Sequence, residues 1–153
     1  MPARFFGTLF ALCLSLPVPA QSQLALHGAW VRALPPTQSS TAAYLTLHNQ
    51  GDTAYTVVSG SSPIAETVEI HTTREVDGML RMQQLPQLTV APASTSELQP
   101  GGTHLMLLGL TRMPAAGEEV TLCLKLASGD EVCTVAPVRK GGAGDGAGAH
   151  HHH

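Results

Sequence analysis

The chain is poor in aromatic and charged residues: 4% of its 153 residues are aromatic and 12% are charged, with a formal net charge of −3. A nucleic-acid surface needs basic and stacking side chains, so this composition argues against such a partner. Cysteine is scarce, with three residues. Apolar runs are short as well, and none approaches the 18 residues expected of a membrane-spanning helix. We therefore expect no nucleic-acid partner and no transmembrane anchor once the N-terminal segment is cleaved.

The first 20 residues have the pattern of a secretory signal peptide. Arg4 precedes an apolar stretch over 5–16, and cleavage after Ala20 would follow small residues at the −3 and −1 positions. The stretch is too short to span a bilayer core of ~30 Å as a helix. Cys13 is expected to leave with the signal, because Leu12, directly before it, stands where lipid-attachment signals have a small residue. The sequence thus predicts a protein that is exported from the cytoplasm.

The last 13 residues, 141–153, contain Gly, Ala, one Asp and four terminal histidines. Such a segment cannot bury a core and is predicted to be a flexible tether. The histidines are either a purification tag or a native tail that collects metal, and we favour the native tail. They are His150, His151, His152 and His153. Between signal and tail, residues 21–140 are long enough for one domain with a single hydrophobic core.

Within that domain, short β-type runs alternate with Gly, Pro, Asn and Asp breakers, and helix signals are nearly absent. The predicted strands are 28–33, 42–48, 55–59, 67–71, 80–83, 88–90, 97–98, 103–110, 120–126 and 131–138. Many short strands with turn punctuation predict an all-β single domain, an antiparallel β-sandwich or small barrel.

The last predicted hairpin allows its register to be argued. A three-residue loop over 127–129 puts Gly129 where a positive φ is needed and pairs Leu126 with Asp130. Counting back from this closing pair places Cys123 opposite Cys133, close enough for a cross-strand disulfide. An exported protein meets an oxidising compartment, so we expect a structural disulfide rather than a redox or metal pair.

Methionine and histidine cluster in one part of the chain. After Met1, all four methionines fall within the 35 residues 79–113; His104 lies in the same window, and His71 lies eight residues before it. His104 and Met106 are one residue apart and so share a face of their strand. If residues 77–78 form a two-residue loop, Met82 and His71 become diagonal neighbours on one face.

Two imidazoles and two thioethers form a soft-leaning donor set. Zinc sites prefer thiolate, imidazole or carboxylate, and Ca²⁺ or Mg²⁺ prefer oxygen, whereas thioether with imidazole selects Cu(I). The set contains no thiolate that a disulfide could consume. The sequence therefore predicts a Cu(I) site at His71, Met82, His104 and Met106.

The spacing of these four residues, H-x10-M-x21-H-x-M, resembles the copper motif of the periplasmic PCu(A)C copper chaperones. Segments 29–32, 42–49 and 98–110 are also similar to that family. The resemblance implies a cupredoxin-like β-sandwich with one Cu(I), these four residues as ligands, and delivery toward the binuclear copper centre of cytochrome c oxidase. Two departures stand out: Thr72 and Thr73 follow the first histidine where family members often have methionine, and the cysteine pair lies outside the motif.

The partner implied is a copper-accepting membrane or periplasmic protein, such as an oxidase copper domain, and we expect a monomer. A blue-copper electron carrier would need a thiolate ligand, and neither cysteine lies in the cluster. The chain also lacks the common hydrolase motifs, so we do not expect an enzyme. The alternative function is copper scavenging or buffering with the same site, in which the histidine tail collects Cu(II). Met79 and Met113 lie outside the motif and are expected to be core or surface residues.

Overall fold

The computed structural model describes residue 1 and residues 22–141 of the chain, and every regular element in that part is a β-strand. The strands are β1 (Leu24–Arg32), β2 (Thr41–Asn49), β3 (Tyr55–Ser61), β4 (Ala65–Val76), β5 (Met79–Leu85), β6 (Leu88–Val90), β7 (Thr95–Leu98), β8 (His104–Leu110), β9 (Glu119–Leu126) and β10 (Glu131–Arg139). The ten predicted strands are confirmed in number and order, although β1 begins earlier and β4 runs further. The predicted signal peptide and tail lie almost wholly outside the described residues. None of the described residues belongs to a helix able to cross a membrane.

Seven strands close into a barrel in the order β4, β8, β2, β1, β10, β9 and β3, and β3 pairs back onto β4. Strands β5, β6 and β7 extend this barrel from β4, β3 and β2. Closure depends on Gly60, because a Cβ atom there would lie 2.7 Å from Cγ1 of Val68 in the facing strand. The predicted all-β, cupredoxin-like fold is confirmed. One pair, β1 with β10, is parallel, since closure brings together the first and last strands, which no hairpin joins.

The barrel interior is filled by alternate residues of each strand. Leu105 and Leu107 of β8 and Val68 and Ile70 of β4 are 3% exposed or less and belong to one hydrophobic cluster. Residues between them in sequence therefore point to the outer face of the barrel, because successive side chains of a strand alternate sides. This alternation puts Glu69, His71, His104 and Met106 on the outer face.

Both hairpins argued from the sequence are confirmed. Val76 pairs with Met79 across Asp77 and Gly78, whose φ values of 53° and 73° suit a two-residue turn with the twist of the strands. Gly129 has φ 94°, and the amide of Leu126 donates to the carbonyl of Asp130 at 2.9 Å.

The cysteine pair lies between β9 and β10, where Cys123 and Cys133 are directly opposite and joined by a disulfide. The carboxylate of Glu131 is also near, and the three donor atoms lie within 4.8 Å of one another. Because the two sulfurs are bonded to each other, they are not available as thiolates. The predicted cross-strand disulfide is therefore confirmed.

Replacing both cysteines with serine should lower stability and leave the outer face of β4 and β8 intact. A cross-link that closes so short a loop contributes at most about 2–3 kcal/mol. We expect a lower midpoint in thermal and denaturant unfolding, with an unchanged β-sheet content in the far-UV circular dichroism spectrum. An unchanged midpoint would contradict a stabilising role for the disulfide.

Candidate metal centre

Three neighbouring strands bring the four sequence-predicted residues to one part of the outer face. His71 of β4 pairs directly with His104 of β8, and their ring centroids are 6.1 Å apart. Met82 of β5 pairs with Thr73, two residues beyond His71, which makes it the predicted diagonal neighbour of that histidine. Met106 pairs with Ala42 on one side and Glu69 on the other.

Hydrogen bonds fix which ring nitrogen of each histidine is free. The Nε2 of His71 lies 2.7 Å from the carboxylate of Glu69, and the Nδ1 of His104 lies 2.9 Å from the carbonyl oxygen of Gly102. Both oxygens only accept, so each of these nitrogens donates its proton. A neutral imidazole then keeps a lone pair on its other nitrogen, which is Nδ1 of His71 and Nε2 of His104.

The freed nitrogen of His71 has the character of a ligand atom. Its Nδ1 is buried and has no hydrogen-bond partner among the described residues. An unpaired buried polar atom costs free energy, which binding of an ion would remove. A carboxylate that holds the opposite nitrogen is also the usual support of a metal-ligating histidine. The Nδ1 atom of His71 is therefore suited to bind a metal ion, and the hydrogen bond from Nε2 to Glu69 holds the ring in place.

The two thioethers lie at the open side of the cluster. Met82, His104 and Met106 line one cavity of about 270 Å³, which Thr73 and Gly101 also border. Met82 is 57% exposed, whereas His104 is 4% exposed. His71 is not among the residues that line this cavity but lies beside it, facing the ring of His104. An ion held here would have a buried histidine side and an accessible thioether side.

Aromatic rings and one cationic side chain pack on the side of His104 away from His71: Tyr44, Trp30 and Arg32. The ring of Tyr44 lies 6.2 Å from that of His104 and 4.6 Å from that of Trp30. The guanidinium carbon of Arg32 lies 5.5 Å from the ring of Tyr44, and Arg32 lines the same cavity. A permanent positive charge beside the cavity disfavours a doubly charged ion more than a singly charged one.

Sequence reasoning missed the supporting residues. Glu69 precedes His71 by two positions on a strand, so the spacing itself indicated a carboxylate on the same face. Gly102 gave no such signal, although its carbonyl also accepts from the amide of Thr73 at 3.4 Å and so ties β4 to the loop before β8. Two threonines depart from the family pattern after the first histidine. The hydroxyl of Thr72 is hydrogen-bonded to that of Thr103, and Thr73 borders the cavity. Met79 is 55% exposed and lies on the surface, in accord with the sequence interpretation.

A closed β-barrel with two imidazoles and two thioethers together on its outer face is the arrangement expected of a domain that binds a soft metal ion. The model of the LpqE-like family matches residues 24–138, and the chain belongs to that family. "Putative lipoprotein Lxx21020" of Leifsonia xyli subsp. xyli is 33% identical over 112 residues, which cover 72% of this chain and 66% of that protein. The chain thus spans slightly less than two thirds of this relative.

Solved structures confirm the resemblance drawn from the motif. The solution structure of CuI-DR1885 from Deinococcus radiodurans is 36% identical with a TM-score of 0.63, covering 80% of this chain and 81% of that one. The copper-bound PCuAC domain from PmoF2 is 19% identical with a TM-score of 0.64, covering 78% and 94%, and this likeness shows the fold alone.

Proposed function

We propose that the chain is an exported metallochaperone that binds one Cu(I) ion through His71, Met82, His104 and Met106. The observation that carries the proposal is the hydrogen bonding of the two histidines, which leaves one lone pair on each ring beside two thioethers. Thioether and imidazole donors suit Cu(I). The positive charge of Arg32 disfavours Cu(II) more than Cu(I). The similarity to the structure named CuI-DR1885 supports the same metal. The role is binding and transfer rather than catalysis.

Release of copper is proposed to begin at Met82. Its side chain is the most exposed of the four, and it lies on the β4–β5 hairpin, where β5 pairs only with β4 among the strands that the structure describes. An incoming ligand from an acceptor can therefore replace this thioether first, while the buried His104 still holds the ion. The exchange keeps Cu(I) coordinated throughout and changes no oxidation state.

Export to the periplasm is proposed from the signal-like residues 1–20 and from the relatives, whose names include the word lipoprotein. Residues 17–20 favour cleavage after Ala20, and Leu12 before Cys13 argues against lipid attachment. Residues 21–140 would then be the copper domain, and 141–153 the tail. The proposed acceptor is a periplasm-facing copper protein, in particular the binuclear copper domain of cytochrome c oxidase.

A transfer assay tests the delivery role. The Cu(I)-loaded chain is mixed with increasing amounts of an apo oxidase copper domain, and the transfer rate is compared with spontaneous copper loss to a chelator. A chaperone should transfer at a rate that rises with acceptor concentration and exceeds spontaneous loss. A rate fixed at that of spontaneous loss would instead favour the second function, copper buffering with His150–His153 as a Cu(II) collector.

Replacing Glu69 with Gln should weaken Cu(I) binding without removing a ligand. The amide keeps the size of the side chain but loses the charge that supports the donating nitrogen of His71. Changes of this kind cost about 10–100-fold in metal affinity. Competition with a Cu(I) chelator measures the change, and Glu75→Gln, an exposed position on the same strand, is the matched control. Equal affinity in the two variants would contradict the role of Glu69.

A further inference from the structure

A second pair of histidines lies on the outer face of the barrel, away from the four residues above. His27 of β1 and His48 of β2 have ring centroids 6.3 Å apart and an interplanar angle of 50°. The corresponding values for His71 and His104 are 6.1 Å and 48°. The two pairs thus share nearly the same ring arrangement. His71 and His104 are directly opposed in their strands, whereas His27 and His48 are diagonal neighbours.

The nitrogens of this second pair are free to bind. Among the described residues, neither His27 nor His48 makes a hydrogen bond or an ion pair, and their one recorded contact is with each other. His27 is exposed and His48 is half-buried, so an ion between them would be reached easily and would keep water ligands. A register shift between His27 and Trp30 marks a β-bulge, a device that redirects side chains at the ends of sheets.

The surroundings of the pair favour a divalent ion. His27 pairs with Thr46, and Thr46 pairs on its other side with the exposed Glu97, so a carboxylate lies in the same cross-strand row. All four methionines after Met1 lie outside these three strands. Imidazole with oxygen and water suits Cu(II) or Zn²⁺, and Cu(II) is bound most strongly among the first-row divalent ions.

We propose that His27 and His48 form a second metal site, which takes Cu(II) through two imidazole nitrogens with Glu97 and water nearby. The site is separate from the Cu(I) ligands. Tyr44, which borders His104, and His48 are four residues apart on β2, or about 13 Å along a strand. The two sites therefore lie on the same outer face but share no donor, and either can fail without the other.

Paramagnetic broadening locates the ion directly. Aqueous Cu(II), buffered with glycine, is added at sub-stoichiometric amounts to the ¹⁵N-labelled full-length chain in which His150–His153 are replaced by serine, so that the tail does not take the ion first, and amide signals are followed. We expect the earliest loss of signal at residues 25–28 and 46–49. His27→Gln and His48→Gln should each abolish that loss, while His71→Gln combined with His104→Gln should leave it unchanged. Broadening centred on His71 and His104, or broadening without preference for residues 25–28 and 46–49, would overturn the proposal.

Affinity is measured in the full-length chain with His150–His153 replaced by serine, so that the tail does not compete. We expect His27→Gln and His48→Gln each to weaken Cu(II) binding at least tenfold, with Thr95→Ala, a neighbour of His48 on β7, as the matched control. Equal Cu(II) affinity in all these variants would overturn the proposal. Cu(I) binding, measured separately, reports on the other site and distinguishes the failure of one proposal from that of the other.

Discussion

Replacing Met82 and Met106 with leucine should remove most of the Cu(I) affinity while the barrel stays folded. Leucine and methionine have similar volumes, and the exchange costs less than about 1.5 kcal/mol even in a core. Here Met82 is 57% exposed, so the packing loss at that position is small. The two histidines that remain also serve Cu(II) and Zn²⁺, so the preference for the reduced ion should fall together with the affinity.

The expected loss is more than about 100-fold, since changes behind the ligands already cost 10–100-fold. Competition with a chromophoric Cu(I) chelator measures it. Ascorbate is the suitable reductant, because a dithiol would also open the Cys123–Cys133 disulfide and create thiolate ligands. Met79→Leu with Met113→Leu is the matched control: it removes two sulfurs that lie outside the motif and should keep the affinity within a few fold. Equal losses in both double variants would contradict the assignment.

Asn49→Ala should be strongly destabilising although Asn49 is not among the residues around the proposed Cu(I) site. Asn49 is fully buried, and its amide nitrogen lies 2.8 to 3.1 Å from the carbonyl oxygens of Thr53, Val90 and Ala91. Its side-chain oxygen accepts from the amide of Gly51 at 2.9 Å. Alanine would leave these backbone groups without their partner, and each buried unsatisfied group costs about 1–3 kcal/mol.

Because exposed Thr53 and Ala91 can bond to water instead, we expect a total loss of about 3 kcal/mol or more in the free energy of unfolding. Denaturant titration measures it. Gln50→Ala is the matched control: its side chain is exposed, and such changes usually stay within about 0.5 kcal/mol. Cu(I) affinity of the folded Asn49→Ala fraction should be unchanged. A loss of stability no larger than that of Gln50→Ala would show that Asn49 does not anchor this end of β2.

The local parts of the structure could be predicted because short loops leave few choices. A two-residue loop at Asp77 and Gly78 sets the register of β4 and β5, and the loop ending at Gly129 places Cys123 opposite Cys133. Alternation along a strand then decides that His104 and Met106 share a face. These are contacts between residues that are close in the chain, where periodicity and turn chemistry determine geometry.

The longer-range parts could not be predicted in the same way. Nothing in the pattern of β1 and β10 indicates that they pair in parallel, because that contact follows from closure of the whole barrel. Asn49 is typical of a turn residue by type, yet it is buried and joins two backbone segments, residues 51–53 and 90–91. The contact of Arg32 with the ring of Tyr44, which lies beside His104, likewise depends on the pairing of β1 with β2.

X-ray absorption at the copper edge of the Cu(I)-loaded chain tests the central claim most directly. The account predicts a first shell with both sulfur and nitrogen donors. The sulfur contribution should persist when Cys123 and Cys133 are replaced by serine and disappear when Met82 and Met106 are replaced by leucine. A first shell without sulfur in the unaltered chain, or a sulfur signal that survives loss of both methionines, would contradict the assignment of this site.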